Sequence, residues 1–265
     1  MPVEAPALPY RGPEYVAHVE GRLSPAGPDP LLHLDPYRPP WLYRFGVRAL
    51  RLLLPILFDF HVEGLDNIPP PPYIIACNHQ RWFDPLFIAA AFPRLPMVYS
   101  MAKRATVFNR GWKRAIVPLF GVFPISPSRG HLDGQGIACV YEVLSRRGVV
   151  LIFPEGRYSR GRQLRPLKKG VAHFSLQSGV PITPVAISGM DRLRLRGPVT
   201  VSIGRPILPV PPLRWRTTNT ISSVVQRVRR GILRAFGRDE EHELVETLRG
   251  RMTRLLRLAT SRPGR

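Results

Sequence analysis

The sequence predicts an α/β protein in which a single β-sheet is flanked by helices. Two short apolar runs, residues 73–77 and 149–153, contain several β-branched residues and stop at clusters of polar residues. Such runs are typical of buried strands that end at the rim of a sheet, where α/β proteins place their functional groups. Strand-like and helix-like segments alternate without a linker from about residue 73 to residue 206. A hydrophobic content of 44% supports a full core.

Two segments precede this core, which we place at residues 61–210. Residues 1–38 are rich in proline and poor in periodic apolar residues, which predicts an extended or disordered arm. The start lacks a basic n-region and an apolar h-region, so no secretory signal is expected. Residues 39–60 are apolar and aromatic but contain three arginines, too many charges for a spanning helix of about 20 apolar residues. This segment predicts either a helix at the membrane interface or a helix packed on the core.

The first polar cluster begins with Asn78 and His79 and ends with Asp84 and Pro85. A histidine and a carboxylate can together activate a hydroxyl near neutral pH, the imidazole as base and the carboxylate as its orienter. Residues five apart on an ideal helix point roughly 140° away from each other, so a turn must separate the two. Pro85 favours the first helical position, which makes Asp84 the predicted N-cap. The cluster is therefore either a catalytic pair or a strand-end histidine beside a helix cap.

The second polar cluster, residues 154–161, contains a carboxylate, two arginines, a hydroxyl and two glycines. Guanidinium groups and exposed backbone N–H groups are suited to holding a phosphate. The alternative is a surface turn with incidental charge. If both clusters are functional, the arginines after Glu155 should border the same hollow as His79.

Together the clusters resemble the sequence blocks of the glycerolipid acyltransferases typified by 1-acylglycerol-3-phosphate acyltransferase. The chain shows Asn-His at 78–79 with Asp84, Gly-Val-Phe-Pro-Ile at 121–125, Phe-Pro-Glu-Gly at 153–156 and Val-Pro-Ile-Thr-Pro-Val at 180–185. Their order and spacing match the family over about residues 60–210, and four ordered blocks are far more specific than any one. The resemblance implies that family's fold, a single mixed sheet flanked by helices.

The resemblance also implies an activity: transfer of a fatty acyl group from a thioester to the free hydroxyl of lysophosphatidic acid, which gives phosphatidic acid. His79 would be the general base and Asp84 would fix its tautomer, as the acid member of a catalytic triad does. The acceptor hydroxyl attacks directly in a ternary complex, so no protein nucleophile is needed. The other predicted substrate-binding residues are Glu155, Gly156, Arg157, Ser159, Arg160, Arg129 and Lys103. Glu155 would either order its loop or hydrogen-bond the acceptor.

The chain departs from the family pattern at two places. After the strand of the second block an arginine usually follows closely, whereas here Ser-Pro-Ser at 126–128 precedes Arg129. The third block commonly reads Glu-Gly-Thr-Arg-Ser, whereas Arg157 and Tyr158 occupy the Thr and Arg positions. Which arginine binds the phosphate is therefore open. A different lipid acceptor, such as a lyso-amino lipid or a glycosyl hydroxyl, is an alternative within the same fold.

The formal net charge of +21 predicts an anionic partner, either nucleic acid or anionic lipid. The sequence lacks the aromatic-basic interleaving of single-strand binders and any helix-turn-helix or zinc pattern, so an anionic membrane surface is favoured over nucleic acid. The seven histidines are scattered without metal-ligand spacing. No metal or cofactor is expected beyond the co-substrate, acyl-CoA or acyl carrier protein.

Residues 211–265 predict a basic helical hairpin. Apolar residues recur on one face of residues 221–236, and acidic residues 239–241 open a second helix favourably for its dipole. Its arginines would either add membrane affinity or be solvated faces. Cys77 and Cys139 lie in apolar contexts, which predicts buried free thiols. The expected location is the cytoplasmic face of the cell membrane, with peripheral or monotopic attachment.

Overall fold

A computed structural model of the protein describes residues 34–126, 133–159, 164–209 and 218–236. The strands are β1 (Asp59–Glu63), β2 (Tyr73–Cys77), β3 (Val98–Lys103), β4 (Val122–Ile125), β5 (Val149–Ile152), β6 (Ile182–Ser188) and β7 (Pro198–Ile203). The helices are α1 (Trp41–Leu57), α2 (Asp84–Ala91), α3 (Arg104–Val107), α4 (Gly111–Ile116), α5 (Gly134–Ser145), α6 (Gly170–Ser178) and α7 (Thr218–Ala235). Short 3₁₀ helices occupy Leu65–Asn67 and Val117–Phe120.

The seven strands form one sheet in the order β1-β7-β6-β2-β5-β3-β4. Neighbouring strands are parallel except for β6 and β7, which pair antiparallel. The sheet is therefore mixed and flanked by helices, and the predicted fold class is confirmed.

The central strand β2 explains why the first apolar run is continuous rather than alternating. All five residues of β2 are buried, because helices cover both faces of the sheet. Ile74 and Ala76 face a core shared with α5, α6 and α7, whereas Ile75 and Cys77 face a core shared with α2.

The register of β2 places both polar clusters at one rim. Ala76 of β2 is level with Ile152 of β5 in a parallel pair. The chain leaves both strands in the same direction, so residues that follow 77 and 152 emerge side by side at the carboxyl edge of the sheet.

Helix α1 packs on one side and is exposed on the other. Tyr43, Val47 and Leu54 are buried, and the Tyr43 hydroxyl accepts a hydrogen bond from the Val98 backbone N–H at 3.2 Å. Several large apolar residues of α1 are exposed: Trp41, Phe45, Leu52, Leu53 and Ile56. The helix thus shows features of both alternatives that the sequence left open. Within the part of the chain that the structure describes, no helix is long and apolar enough to cross a membrane.

The C-terminal part of the described chain is helix α7. Val224, Val228 and Ile232 of its apolar face are buried against the core. The second helix of the predicted hairpin and residues 1–33 of the predicted arm lie outside the described residues. Cys77 and Cys139 are both buried free thiols, as the sequence predicts.

Candidate active site

The two rim clusters are bonded directly to each other. The backbone N–H and the hydroxyl of Ser159 both donate to the His79 carbonyl, at 2.7 Å and 3.0 Å. The His79 backbone N–H in turn donates to Glu155 Oε1 at 2.9 Å. The loop after β5 therefore forms hydrogen bonds with both the backbone N–H and the backbone carbonyl of His79.

His79 and Asp84 form a close and buried pair. His79 Nδ1 lies 2.9 Å from Asp84 Oδ2, with side-chain exposures of 14% and 0%. The same carboxylate oxygen accepts the backbone N–H groups of Gln80 and Arg81, at 2.6 Å and 2.8 Å. The buried Oδ1 of Asp84 has no hydrogen-bond partner among the described residues. The carboxylate is held by hydrogen bonds to one oxygen, which fixes its direction toward the imidazole.

The predicted N-cap role of Asp84 was wrong. Helix α2 begins at Asp84 itself, with Phe83 at the N-cap position and no side-chain capping bond. The Asp84 carboxylate turns back to the two N–H groups that precede the helix, because residues 79–83 form a tight turn around it. Of the two alternatives for this cluster, the structure places the histidine and the carboxylate together.

Asn78 secures the residue before the histidine. Its side-chain amide donates to the Ile187 carbonyl at 3.0 Å, and its side-chain oxygen accepts the Ile187 N–H at 2.8 Å. The buried side chain thereby extends the pairing of β2 with β6 by one step beyond the strand. This anchoring sets the point at which the chain turns toward His79.

Two aromatic rings lie against the His79 ring. Phe153 stacks on it with a centroid distance of 3.8 Å, and Tyr158 lies tilted at 4.4 Å. Asp84 occupies Nδ1, so the edge carrying Nε2 remains for a substrate. A carboxylate on Nδ1 favours the tautomer with its proton there, and Nε2 is then an acceptor.

Glu155 supports two backbone segments at once. Its second oxygen, Oε2, accepts the Arg165 backbone N–H at 2.9 Å. Burial raises the pKa of the Glu155 carboxyl, an effect that the two N–H groups and the nearby His79 and Arg165 partly oppose. Both carboxylate oxygens are engaged within the protein, which corresponds to the loop-ordering alternative for this residue.

The turn after Glu155 needs a glycine. Gly156 has φ of +70°, and a Cβ there would lie 2.6 Å from Lys168 Cε. The Lys168 backbone N–H donates to the Pro154 carbonyl at 2.8 Å, which brings its side chain across the turn. Arg157 is exposed and makes no hydrogen bond or ion pair within the described part of the chain. The Arg165 guanidinium donates to the Tyr158 carbonyl at 3.3 Å.

The remaining predicted residues are less closely connected to the pair. Lys103 is the exposed last residue of β3, at the same sheet edge but separated from β2 by β5. Arg129 and Arg160 lie outside the described residues. Sequence reasoning did not assign Phe153, Tyr158 or Arg165 to the site, although Phe153 is the first residue of the Phe-Pro-Glu-Gly block and the other two follow it within nine residues.

The arrangement suits base catalysis without a protein nucleophile. Cys77 lies one residue before the cluster, but burial, together with Asp84 and Glu155, raises the pKa of its thiol well above the ordinary value. The thiol therefore stays protonated and is a poor nucleophile. A buried carboxylate, an oriented imidazole and an exposed cation at one rim can activate a hydroxyl on an anionic substrate.

Comparisons with known proteins identify relatives of this chain. The family model described as Acyltransferase matches residues 59–188. Human 1-acyl-sn-glycerol-3-phosphate acyltransferase alpha is 28% identical over 204 residues, which cover 72% of this chain and 70% of the human protein. The Pseudomonas aeruginosa 1-acyl-sn-glycerol-3-phosphate acyltransferase is 28% identical over 145 residues, 54% of each chain.

A solved structure has the same fold. The crystal structure of PlsC, the 1-acyl-sn-glycerophosphate (LPA) acyltransferase from Thermotoga maritima, matches with a TM-score of 0.54 and 24% identity. The match covers 75% of this chain and 80% of PlsC. With the matched family model and the ordered sequence blocks, the core of this chain, residues 59–188, belongs to the acyltransferase family.

Proposed function

We propose that this protein transfers a fatty acyl group from a thioester donor to the free hydroxyl of lysophosphatidic acid, giving phosphatidic acid. The observation that carries the proposal is the buried His79–Asp84 pair, 2.9 Å apart at the carboxyl edge of the central strands. The relatives named as 1-acyl-sn-glycerol-3-phosphate acyltransferases support this choice of acceptor.

In the proposed reaction His79 Nε2 takes the proton of the acceptor hydroxyl as its oxygen attacks the thioester carbonyl. The tetrahedral intermediate then collapses and expels the thiolate, which recovers the proton from the imidazolium. The products are a new ester and a free thiol. Asp84 stabilises the transient imidazolium through Nδ1, as the acid of a catalytic triad does. The reaction forms no covalent enzyme intermediate and uses the thioester as its one co-substrate, with no metal or cofactor.

The acceptor phosphate would be held at the loop after Glu155. Arg157 projects from this loop without a partner in the described chain, so its guanidinium is available for a phosphate. Gly156 allows close approach at the turn, and Lys103 adds positive charge at the same edge. Glu155 and Ser159 act through the backbone of His79 rather than on substrate. Arg129 and Arg160 remain predicted phosphate ligands.

An apolar pocket beside the pair would receive the acyl chain. It lies between α1 and α2, is partly open to solvent, and includes Pro85 and Leu86 immediately after Asp84. Apolar side chains form most of the remaining wall: Tyr43, Val47, Leu50, Ala89 and Phe120. The thioester carbonyl could then lie near His79 while the chain enters the pocket. The donor would be acyl-CoA or an acylated carrier protein.

The proposed location is the cytoplasmic face of the cell membrane, with peripheral or monotopic attachment. The exposed apolar side of α1, together with the net charge of +21, supports contact with an anionic lipid surface. The residues that contact lipid in this setting would include Trp41 and Phe45, because aromatic side chains favour the headgroup region.

A thiol-release assay on the purified protein tests the proposal. Acyl-CoA and acylated carrier protein are each supplied with lysophosphatidic acid, glycerol 3-phosphate or a lyso-amino lipid. We expect release that depends on lysophosphatidic acid and exceeds release with the other acceptors. Salt-sensitive DNA binding without thiol release would instead support the nucleic-acid alternative.

A second acceptor class is favoured by one observation. Tyr158 lies 4.4 Å from the His79 ring at a position where the family commonly has arginine. A phenol supplies less attraction to a phosphate than a guanidinium does, so a lyso-amino lipid or a glycosyl hydroxyl is the second candidate. Thiol release with one of these acceptors, and none with lysophosphatidic acid, would select it.

A further inference from the structure

We infer that residues 103–116, which include helices α3 and α4, form a second contact surface for an anionic lipid bilayer, next to the exposed side of α1. We call these residues the α3–α4 surface. The inference rests on the proposed function only in that both substrates carry lipid chains. It concerns a part of the molecule that neither the catalytic pair nor the predicted interfacial helix includes.

The first observation is uncompensated positive charge. The α3–α4 surface contains five basic residues and no acidic residue: Lys103, Arg104, Arg110, Lys113 and Arg114. Their side-chain partners are neutral, since Arg104 donates to Gln135 Oε1 and Lys113 to Asn109 Oδ1. Within the described chain none of the five pairs with a carboxylate. Each cation held near an anionic membrane surface adds to the electrostatic attraction.

The second observation is an exposed apolar pair within this positive charge. Trp112 is 57% exposed and Ile116 is 41% exposed. The two residues are four positions apart on α4 and therefore lie on the same side of the helix. A tryptophan ring carries an apolar body and a polar N–H, and such side chains prefer the membrane–water boundary.

The third observation is continuity with α1. Helix α4 leads without a loop into the 3₁₀ helix Val117–Phe120. The Phe120 ring packs closely against Gly46 of α1, since a Cβ added at Gly46 would lie only 2.9 Å from Phe120 Cε1. The exposed Leu53 lies seven residues after Gly46 and so on the same side of α1. Phe120 thus packs against α1 at Gly46, so the end of α4 lies next to that helix.

The combination favours lipid over an acidic protein. A carrier protein would match the five cations, but it would leave the apolar side of α1 and the Trp112–Ile116 pair without an apolar phase. A bilayer satisfies both, since anionic headgroups meet the cations while the large apolar side chains enter the boundary region. The 3₁₀ helix that follows this surface borders the pocket proposed for the acyl chain, because its Phe120 lines that pocket.

Vesicle flotation with the purified full chain tests the inference without any substrate. Vesicles of phosphatidylcholine with phosphatidylglycerol are compared with phosphatidylcholine alone. Arg110→Glu is matched by Arg205→Glu, since both arginines are exposed and Arg205 follows β7 near the opposite edge of the sheet. We expect Arg110→Glu to lower affinity for anionic vesicles by about 10- to 30-fold, most at low salt, and Arg205→Glu to lower it by less than about threefold.

The apolar contribution is tested in the same way. Trp112→Ala should weaken vesicle binding by about tenfold, with partial recovery in Trp112→Phe. Leu208→Ala, which also removes an exposed apolar side chain, should have little effect. The five variants should melt within a few degrees of the parent by circular dichroism, because the altered side chains are exposed.

Two results would overturn the inference. Equal vesicle affinities of Arg110→Glu and Arg205→Glu would exclude a specific lipid contact at the α3–α4 surface. A different result would assign the surface to protein docking: Arg110→Glu binds anionic vesicles like the parent, and its thiol release is slower only when acylated carrier protein is the donor. The parent's thiol release with detergent-dispersed substrates is a separate measurement. Failure of the proposed function would appear there, whatever the vesicle results.

Discussion

Two histidine–aspartate pairs in this molecule have similar distances and very different surroundings. His61 Nε2 lies 2.7 Å from Asp59 Oδ1 on the edge strand β1, with side-chain exposures of 61% and 59%. His79 Nδ1 lies 2.9 Å from Asp84 Oδ2, with exposures of 14% and 0%. A contact distance therefore does not identify a catalytic pair.

The difference lies in what holds each carboxylate. Asp84 is excluded from solvent and accepts two further backbone N–H groups, whereas Asp59 is largely solvated. Solvent screens an exposed pair and lets its side chains exchange partners, but a buried and hydrogen-bonded carboxylate keeps one orientation. Hydrogen bonds from Glu155 and Ser159 to the His79 backbone further restrict the position of His79. Five experiments sharpen or break this contrast.

The largest expected effect comes from removing the base. His79→Ala should lower turnover by on the order of 10²- to 10⁴-fold or more, the usual contribution of a positioned general base. His61→Ala is the matched control and should stay within about twofold. Thiol release under saturating substrates measures both, and retained activity in His79→Ala would remove the central claim.

The second effect tests the orienting carboxylate. Asp84→Asn keeps an oxygen for the Gln80 and Arg81 N–H groups but loses the charge that stabilises the imidazolium, so turnover should fall by on the order of 10²- to 10³-fold. The exposed Asp59→Asn should be near neutral. Similar losses in the two variants would show that burial does not distinguish the pairs.

A smaller effect is expected at Glu155. Glutamine has one acceptor oxygen and would point an NH₂ group at one of the two backbone N–H donors, so Glu155→Gln should lower turnover by roughly tenfold. Glu142→Gln, on helix α5, is the control for loss of a carboxylate. A Glu155→Gln protein as active as the parent would show that the hydrogen bonds of Glu155 to the His79 and Arg165 backbones do not support catalysis.

The pKa of Glu155 adds a test of stability. Burial raises this pKa above 4.5, so the folded state binds its proton more tightly than the unfolded state does. The resulting stabilisation is present at low pH and is lost as pH rises through the window above 4.5. The parent's free energy of unfolding relative to that of Glu155→Gln should therefore decline as pH rises above about 4.5. Urea denaturation across this range measures it, and parallel curves would contradict the assignment.

The mildest effect is expected at the exposed cation. Arg157→Ala should raise the KM for lysophosphatidic acid by about tenfold, the worth of a charge-assisted hydrogen bond, with little change in the KM for the donor. Arg157→Lys should retain part of the affinity. Equal damage to both KM values would indicate that Arg157 is structural.

The sequence alone predicted the strands that lead to the site and the polar residues at their ends. The apolar runs identified β2 and β5, and the polar residues that follow them identified His79, Asp84 and Glu155. This was possible because local composition indicates both a buried strand and the polar rim at which it ends. It did not predict the contacts of Glu155 with the backbones of His79 and Arg165. The partners His79 and Glu155 lie 76 residues apart, and their contact exists only once β2 and β5 pair.

Residue types and order were thus sufficient to establish the fold class, the rim and the two chemical groups on it. Tertiary structure alone separated the buried pair at 79 and 84 from the exposed pair at 61 and 59, and it turned the Asp84 carboxylate away from helix capping. The physical reason is that solvent exclusion and hydrogen-bond direction depend on which distant segments pack around a side chain, and no local pattern encodes them.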